Sequence, residues 1–154
     1  MINFKEYIIG IDVGGSKIIA ALIKNGRVFY KIKVSTPKNR KNFCDKLKAI
    51  TEQLIKKAGG QKNIRGIGCG IAGVLDLKRG MILKSPNLKF LGSFDVKNWL
   101  EKKFKTAVEI DNDARCFLRG EYLFGVGRGY KNIVGMTLGT GIGGGIIING
   151  KMVY

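Results

Sequence analysis

Ile8-Ile9-Gly10-Ile11-Asp12-Val13-Gly14-Gly15-Ser16-Lys17 is followed at once by a second apolar run, Ile18-Ile19-Ala20-Ala21-Leu22-Ile23. An apolar climb to a lone aspartate, two glycines, a hydroxyl and a lysine, then renewed alternation, reads as strand, tight turn, strand. Glycines at the turn leave backbone N–H groups unobstructed, and an acid sits at the lip. Such a turn can receive phosphate oxygens while Asp12 faces the metal that accompanies them. The stretch nearly fits the phosphate-loop pattern G-x-x-x-x-G-K-[ST], but Ser16 stands where lysine should and a strand, not a helix, follows.

Outward from this turn the chain continues as strands. Asn25-Gly26 is a hairpin signal, and Arg27 to Val34 makes a third antiparallel strand. Lys41 to Ala58 carries Phe43, Leu47, Ile50, Leu54, Ile55 and Ala58 at helical spacing, and Gly59-Gly60 stops it. Ile64 to Ile71 is a buried strand whose exit, Gly70-Ile71-Ala72-Gly73, lets a ligand approach the backbone. Asp76 to Gly80 is a turn, Met81 to Leu83 a short strand, and Ser85-Pro86-Asn87 a loop. Asp95 to Phe104 is a helix and Ala107 to Ile110 a strand. Asp111-Asn112-Asp113 opens a helix that runs to Phe124.

Gly125 to Gly129 is a glycine-rich break. Ile133 to Leu138 is a strand, and Thr137-Leu138-Gly139-Thr140-Gly141-Ile142-Gly143-Gly144-Gly145 repeats the glycine theme before a last hairpin at Asn149-Gly150. The expected fold class is α/β: a mixed sheet with three antiparallel strands, then strand–helix alternation. The expected domains are 1–124 and the start of a second unit at 125–154, since a strand pair without helices cannot bury a core alone.

Composition narrows the chemistry. The chain has 154 residues, 45% of them hydrophobic and 25% charged, which suits a globular protein. No apolar run reaches membrane-spanning length and no signal peptide is visible, so the expected compartment is the cytoplasm. Three cysteines, far apart, and no histidine give neither a zinc ligand set nor a disulfide framework. Cys69 and Cys116 read as small buried apolar residues. The charge of +17 raises nucleic acid as a partner. The lysines are scattered, however, and are not interleaved with aromatics, so a solvated lysine-rich surface is the preferred reading.

Gly68 to Gly73 and Gly139 to Gly144 both match G-x-G-x-x-G, but neither opens a helix, and the dinucleotide reading fails on that context. Taken together, the two glycine-rich strand–turn–strand units favour phosphate binding. Asp111-Asn112-Asp113 is a helix cap in its simplest reading. It also lies at the carboxyl end of a strand, where open α/β sheets place ligands. Asn112 offers donor and acceptor to a hydroxyl-bearing substrate, and with histidine absent Asp113 is the best proton acceptor in the chain.

These motifs, with Ser85-Pro86-Asn87-Leu88 between them, resemble in order and spacing the ROK family of repressors, open reading frames and sugar kinases. That family lies within the actin-like (ribonuclease H-like), hexokinase-like ATPases. The resemblance implies ATP with Mg²⁺ and a hexose or amino-sugar substrate. It implies that Asp12 holds the metal through water, and that Gly14, Gly15, Ser16 and Lys17 face the phosphates. Thr137, Gly139, Thr140, Gly141, Gly143 and Gly144 would form the second phosphate loop. Asp113 would be the catalytic base, and Gly73, Asn87, Asn112 and Asp113 would hold sugar hydroxyls.

Ser16 replaces the family's usual threonine, and Arg115 stands where asparagine is frequent. The family's downstream zinc motif, sugar-binding histidine and glutamate, and adenine segment are absent from this sequence. The chain therefore reads as the N-terminal portion of a kinase, or as a half-protein whose missing half comes from a partner; homo-oligomerisation stays open. The alternatives are a non-catalytic sugar-binding module or a fragment of a ROK-type regulator. Glucose, fructose, mannose, allose and N-acetylated amino sugars all remain as substrates.

Scattered charge makes a testable distinction from a nucleic-acid interface. Retention on immobilised DNA should collapse by roughly 0.2 M salt; sequence-dependent retention above that would restore the nucleic-acid reading.

Overall fold

The structure is a computed structural model that describes residues 6–139 and 141–154. The first strands form as the alternation requires: β1 (Tyr7–Val13), β2 (Lys17–Lys24) and β3 (Arg27–Ser35). They pair antiparallel, with Ile11 opposite Ala20 and Ala20 opposite Ile32. At the β2–β3 turn Asn25 and Gly26 both have positive φ, 52° and 72°, the type I′ geometry that the Asn-Gly pair favours.

Helix α1 (Arg40–Lys57) starts where the Asn39 side chain accepts from the Asn42 N–H at 2.9 Å, and Lys56 and Lys57 complement its carboxyl end. β4 (Ile64–Ile71) then returns parallel to β1. A small hairpin follows, β5 (Val74–Asp76) with β6 (Met81–Lys84). The sequence predicts only a turn and one strand here, because β5 is too short to show alternation. Helix α2 (Val96–Phe104), capped by Asp95, leads to β7 (Val108–Asn112), parallel to β4.

The resulting sheet has the order β3-β2-β1-β4-β7. Phe43, Leu47 and Leu54 of α1, with Val96 and Leu100 of α2, bury one face of it against Ile9, Ile11, Val13, Ile18 and Leu22. This is the mixed sheet with strand–helix alternation expected from the sequence. Element bounds differ by a residue or two. Gly70 and Ile71 end β4 rather than belonging to its exit loop, and Asp111 and Asn112 end β7 rather than opening a helix. Ladder hydrogen bonding with the parallel neighbour continues to those positions.

Helix α3 (Asp113–Phe124) lies on the opposite face. Beyond it β8 (Ile133–Leu138), β9 (Ile142–Ile148) and β10 (Lys151–Met152) form a separate three-stranded sheet. Leu118 joins the two units. A Cβ on Gly135 would lie 2.6 Å from Leu118 Cδ1, so the bare backbone there is what lets α3 seat on the second sheet. Ile147 is buried beneath α3, whereas Val134, Met136, Leu138 and Ile142 on the other face are exposed. Among the described residues no helix is long and apolar enough to cross a membrane.

Phe43 is completely buried. Phe43→Ala should lower unfolding free energy in denaturant by about 3–5 kcal/mol. Val126→Ala, at a residue 87% exposed, should change it by less than about 0.5 kcal/mol.

Candidate active site

The site begins with a row of backbone pairing. Asp12 of β1 lies opposite Gly70 of β4, and Gly70 lies opposite Asp111 of β7. All three are at the carboxyl ends of parallel strands, the edge at which open α/β sheets bind ligands. A Cβ on Gly70 would sit 3.5 Å from Asp113 Cα and 3.3 Å from Cys116 Sγ. The missing side chain thus lets the first turn of α3 lie directly on the sheet, next to Asp12.

The Asp12 carboxyl is held above its ordinary value of 3.8, first by partial removal from water and then by the Asp113 charge; Lys17 opposes the rise. Asp12 and Asp113 thus line one cleft on either side of Gly70. This cleft, of about 990 Å³, has Thr137 of β8 on its far side.

The first glycine turn is closed by Gly14 N–H donating to Lys17 O at 3.0 Å. Thr36 braces it from β3's end, its hydroxyl donating to Gly14 O at 2.7 Å and its N–H to Ser16 O at 3.0 Å. Gly15 lies against the Ser85–Asn87 loop: a Cβ there would be 2.6 Å from Asn87 Cβ. Gly73 has φ +145°, and a Cβ would meet Lys84 O at 2.6 Å. Ser85 Oγ donates to Ala72 O, and Asn112 Nδ2 donates to Gly73 O at 3.1 Å. Gly15, Gly73, Asn87 and Asn112 thus belong to one cluster of loops.

Asn112 also caps α3, its Oδ1 accepting from Ala114 N and Arg115 N. The simple cap reading of this junction holds, and its neighbours Asp111, Asp113 and Ala114 border the cleft, whereas Asn112 itself does not line it.

The second glycine stretch is tighter than a broad loop. Thr137 and Leu138 belong to β8, and Gly143, Gly144 and Gly145 to β9. Gly139 and Gly141 form the turn itself, with open space where their side chains would be; Thr140 lies outside the described residues. A Cβ on Gly143 would meet Ala114 Cβ and Thr137 Oγ1, both at 2.8 Å. Gly143 accordingly serves the approach of β9 to α3.

A polar cluster beside the junction was not singled out from the sequence. Asp111 Oδ1 accepts from Asn112 N at 2.7 Å and from Arg115 Nε at 2.6 Å, and Oδ2 accepts from the Tyr154 hydroxyl at 3.2 Å. Arg119 bonds Tyr154 Oη at 2.6 Å and lies 3.8 Å from Asp111 Oδ2. The i,i+4 spacing of Asp111 and Arg115 was the available signal.

Cys69 is buried as expected, but Cys116 is only half-buried and lines the cleft. Burial first, and the Asp111 charge second, push its thiol up to about 11, so it is not a thiolate at neutral pH.

Residues 8–154 match the family model described as ROK family. The chain belongs to the ROK family. It is 34% identical over 145 residues to a glucokinase from Streptomyces coelicolor, covering 94% of this chain and 44% of that protein. It is 37% identical over 145 residues to an N-acetylgalactosamine kinase from a Shewanella species, covering 93% and 46%. The crystal structure of a ROK family glucokinase from Streptomyces griseus, in complex with glucose and AMPPNP, superposes with a TM-score of 0.86 at 35% identity. That match covers 96% of this chain and 46% of the other. The chain thus spans about half the length of the curated relatives it matches, and its sheet is the ROK and actin-like one.

The raised Asp12 carboxyl has a consequence for stability. The native state binds a proton at Asp12 more tightly than the unfolded chain does, so this group's contribution falls as pH rises through its native pKa. Asp12→Asn should raise the melting temperature at neutral pH. That gain should vanish below the ordinary carboxylate value of 3.8, as followed by thermal denaturation between pH 3 and 8.

Proposed function

We propose that this chain is the phosphate- and sugar-facing half of an ATP-dependent sugar kinase, with residues 125–154 beginning the second domain. The observation that carries the reading is the approach of Asp113 to Gly70, the register partner of Asp12, so that both aspartates line one cleft with Thr137. Similarity to glucokinases and to an N-acetylgalactosamine kinase supports a hexose or amino sugar as the substrate.

The residues present fit Mg·ATP. Magnesium keeps most of its waters and takes one or two carboxylates with substrate phosphates, so it does not need a cage of protein ligands. Among the described residues no group of three or more His, Cys, Asp or Glu is arranged to hold a metal. Asp12 would hold Mg²⁺ through water, and the turns at Gly14–Lys17 and Gly139–Gly141 would receive phosphate oxygens. When bound, the metal supplies neutralisation of phosphate charge.

The remaining work falls to this chain's side chains. Asn112 and Asn87, with the backbone at Gly73, hold sugar hydroxyls. Asp113 accepts the proton of the hydroxyl to be phosphorylated. Its carboxylate is fixed by the first turn of α3, where Ala114 N donates to Asp113 Oδ1 at 3.0 Å. Phosphoryl transfer depends chiefly on such positioning and on charge neutralisation.

The test is ADP release over a sugar panel, using this chain combined with the second half of its longer form or of a ROK glucokinase. Asp113→Asn should lower kcat by about 10²–10⁴-fold and leave sugar affinity within roughly threefold. Near-normal turnover in that variant would reject Asp113 as base. Sugar binding with no ADP release from the wild-type combination would favour the binding-module or regulator reading.

A further inference from the structure

The loop that carries Asn87 is held from inside and from outside. Inside, Leu88 and Leu91 are completely buried, and the Phe90 ring meets Phe43 of α1 edge-on at 6.0 Å. Outside, Arg40, the first residue of α1, donates from Nε to Phe90 O at 3.1 Å and from Nη2 to Gly92 O at 2.7 Å. Its guanidinium also lies 5.5 Å from the centre of the Phe94 ring. One planar fork thus fixes two carbonyls and a ring, a geometry that an ammonium cannot reproduce.

The loop needs that hold. Ser93 has φ +58°, in the left-handed region that side chains rarely adopt. Asn87 is exposed, and among the described residues its side chain makes no hydrogen bond, so the loop backbone sets its place.

Four residues before Arg40 stands Thr36, the buried brace of the first glycine turn. The span between them is stiff. Pro37 fixes one φ, and Asn39 is locked as the cap of α1. The two clamped loops also touch each other, at Gly15 and Asn87. The first glycine turn, the connector 36–40 and the Asn87 loop therefore close a ring of contacts.

We propose that residues 36–40 are a two-ended brace. Arg40 is a positioning residue for the sugar, acting through Asn87, and Thr36 is one for the nucleotide, acting through the glycine turn. What the two loops hold rests on the kinase reading; the brace itself rests on the contacts.

The test uses the same two-half protein as the ADP-release assay. Affinity is read by calorimetry for Mg·AMPPNP and for glucose or N-acetylgalactosamine, whichever the wild type binds. Arg40→Leu should weaken sugar binding about tenfold and leave AMPPNP within roughly threefold. Arg40→Lys, which keeps the charge but cannot span two carbonyls, should recover only part of the loss. Thr36→Val should weaken AMPPNP and spare the sugar, and Thr36→Ser, which keeps the hydroxyl, should bind both as the wild type does. One glycine inserted between Lys38 and Asn39 keeps both side chains but slackens the span, and should weaken both ligands. Amide exchange in this chain alone supplies a readout without ligand: Arg40→Leu should speed exchange over 88–94 about tenfold and leave β4 unchanged. If the wild type binds no sugar, the kinase reading fails and exchange alone decides the brace. Equal loss of both ligands in Arg40→Leu, full recovery in Arg40→Lys, an insertion without effect, or unchanged exchange over 88–94 would each overturn the proposal.

Discussion

Everything in the site hangs on one row of strand pairing, Asp12 to Gly70 to Asp111. Parallel pairing places three carboxyl ends side by side, and the central position has no side chain. Any larger residue at Gly70 would meet Cys116 and the Asp113 backbone. The close seat of α3 on β4 brings Asp113, the first residue of a helix, toward Asp12, near the end of a strand about a hundred positions earlier. The same seat carries Ala114 and Leu118 onto the glycines of β8 and β9, so the second sheet inherits its position from the first.

That dependence explains how far the sequence alone could be read. The strands β1 to β4 announce themselves by alternation and by Asn-Gly turns, signals written into neighbouring residues. The capping of α3 by Asn112 was legible for the same reason. What the chain did not disclose was proximity between remote segments. Gly15 reads as a phosphate-loop glycine, yet its bare backbone also accommodates Asn87. Gly143 reads as part of a cradle, yet it faces Ala114 and Thr137. Glycine records that something comes close; sequence does not say whether the neighbour is a ligand or the protein's own backbone. Thr36, far from either glycine motif, became visible as a brace only once β3 was folded beside the first turn.

Charge is sorted at the site in a way that follows from these contacts. Three aspartates gather at one sheet edge, and ionising all of them unpaired in a partly dry cleft would be costly. Asp111 is the most enclosed, and it is the one given full compensation: the Arg115 guanidinium at 2.6 Å, the Tyr154 hydroxyl, the Asn112 N–H and, farther off, Arg119. The Asp12 carboxyl is raised first by partial removal from water and then by the Asp113 charge, with only Lys17 opposing. The uncompensated charge is thereby confined to the pair that faces the cleft. A cation entering between the glycine turns would meet those two carboxylates, while Asp111 is occupied in holding the turn from which Asn112 and Asp113 project. Arg115 and Asp111, four residues before it, form one unit: an arginine there without the acid would place its charge on the strand–helix junction, and the acid without the arginine would add a third repulsive carboxylate at this sheet edge.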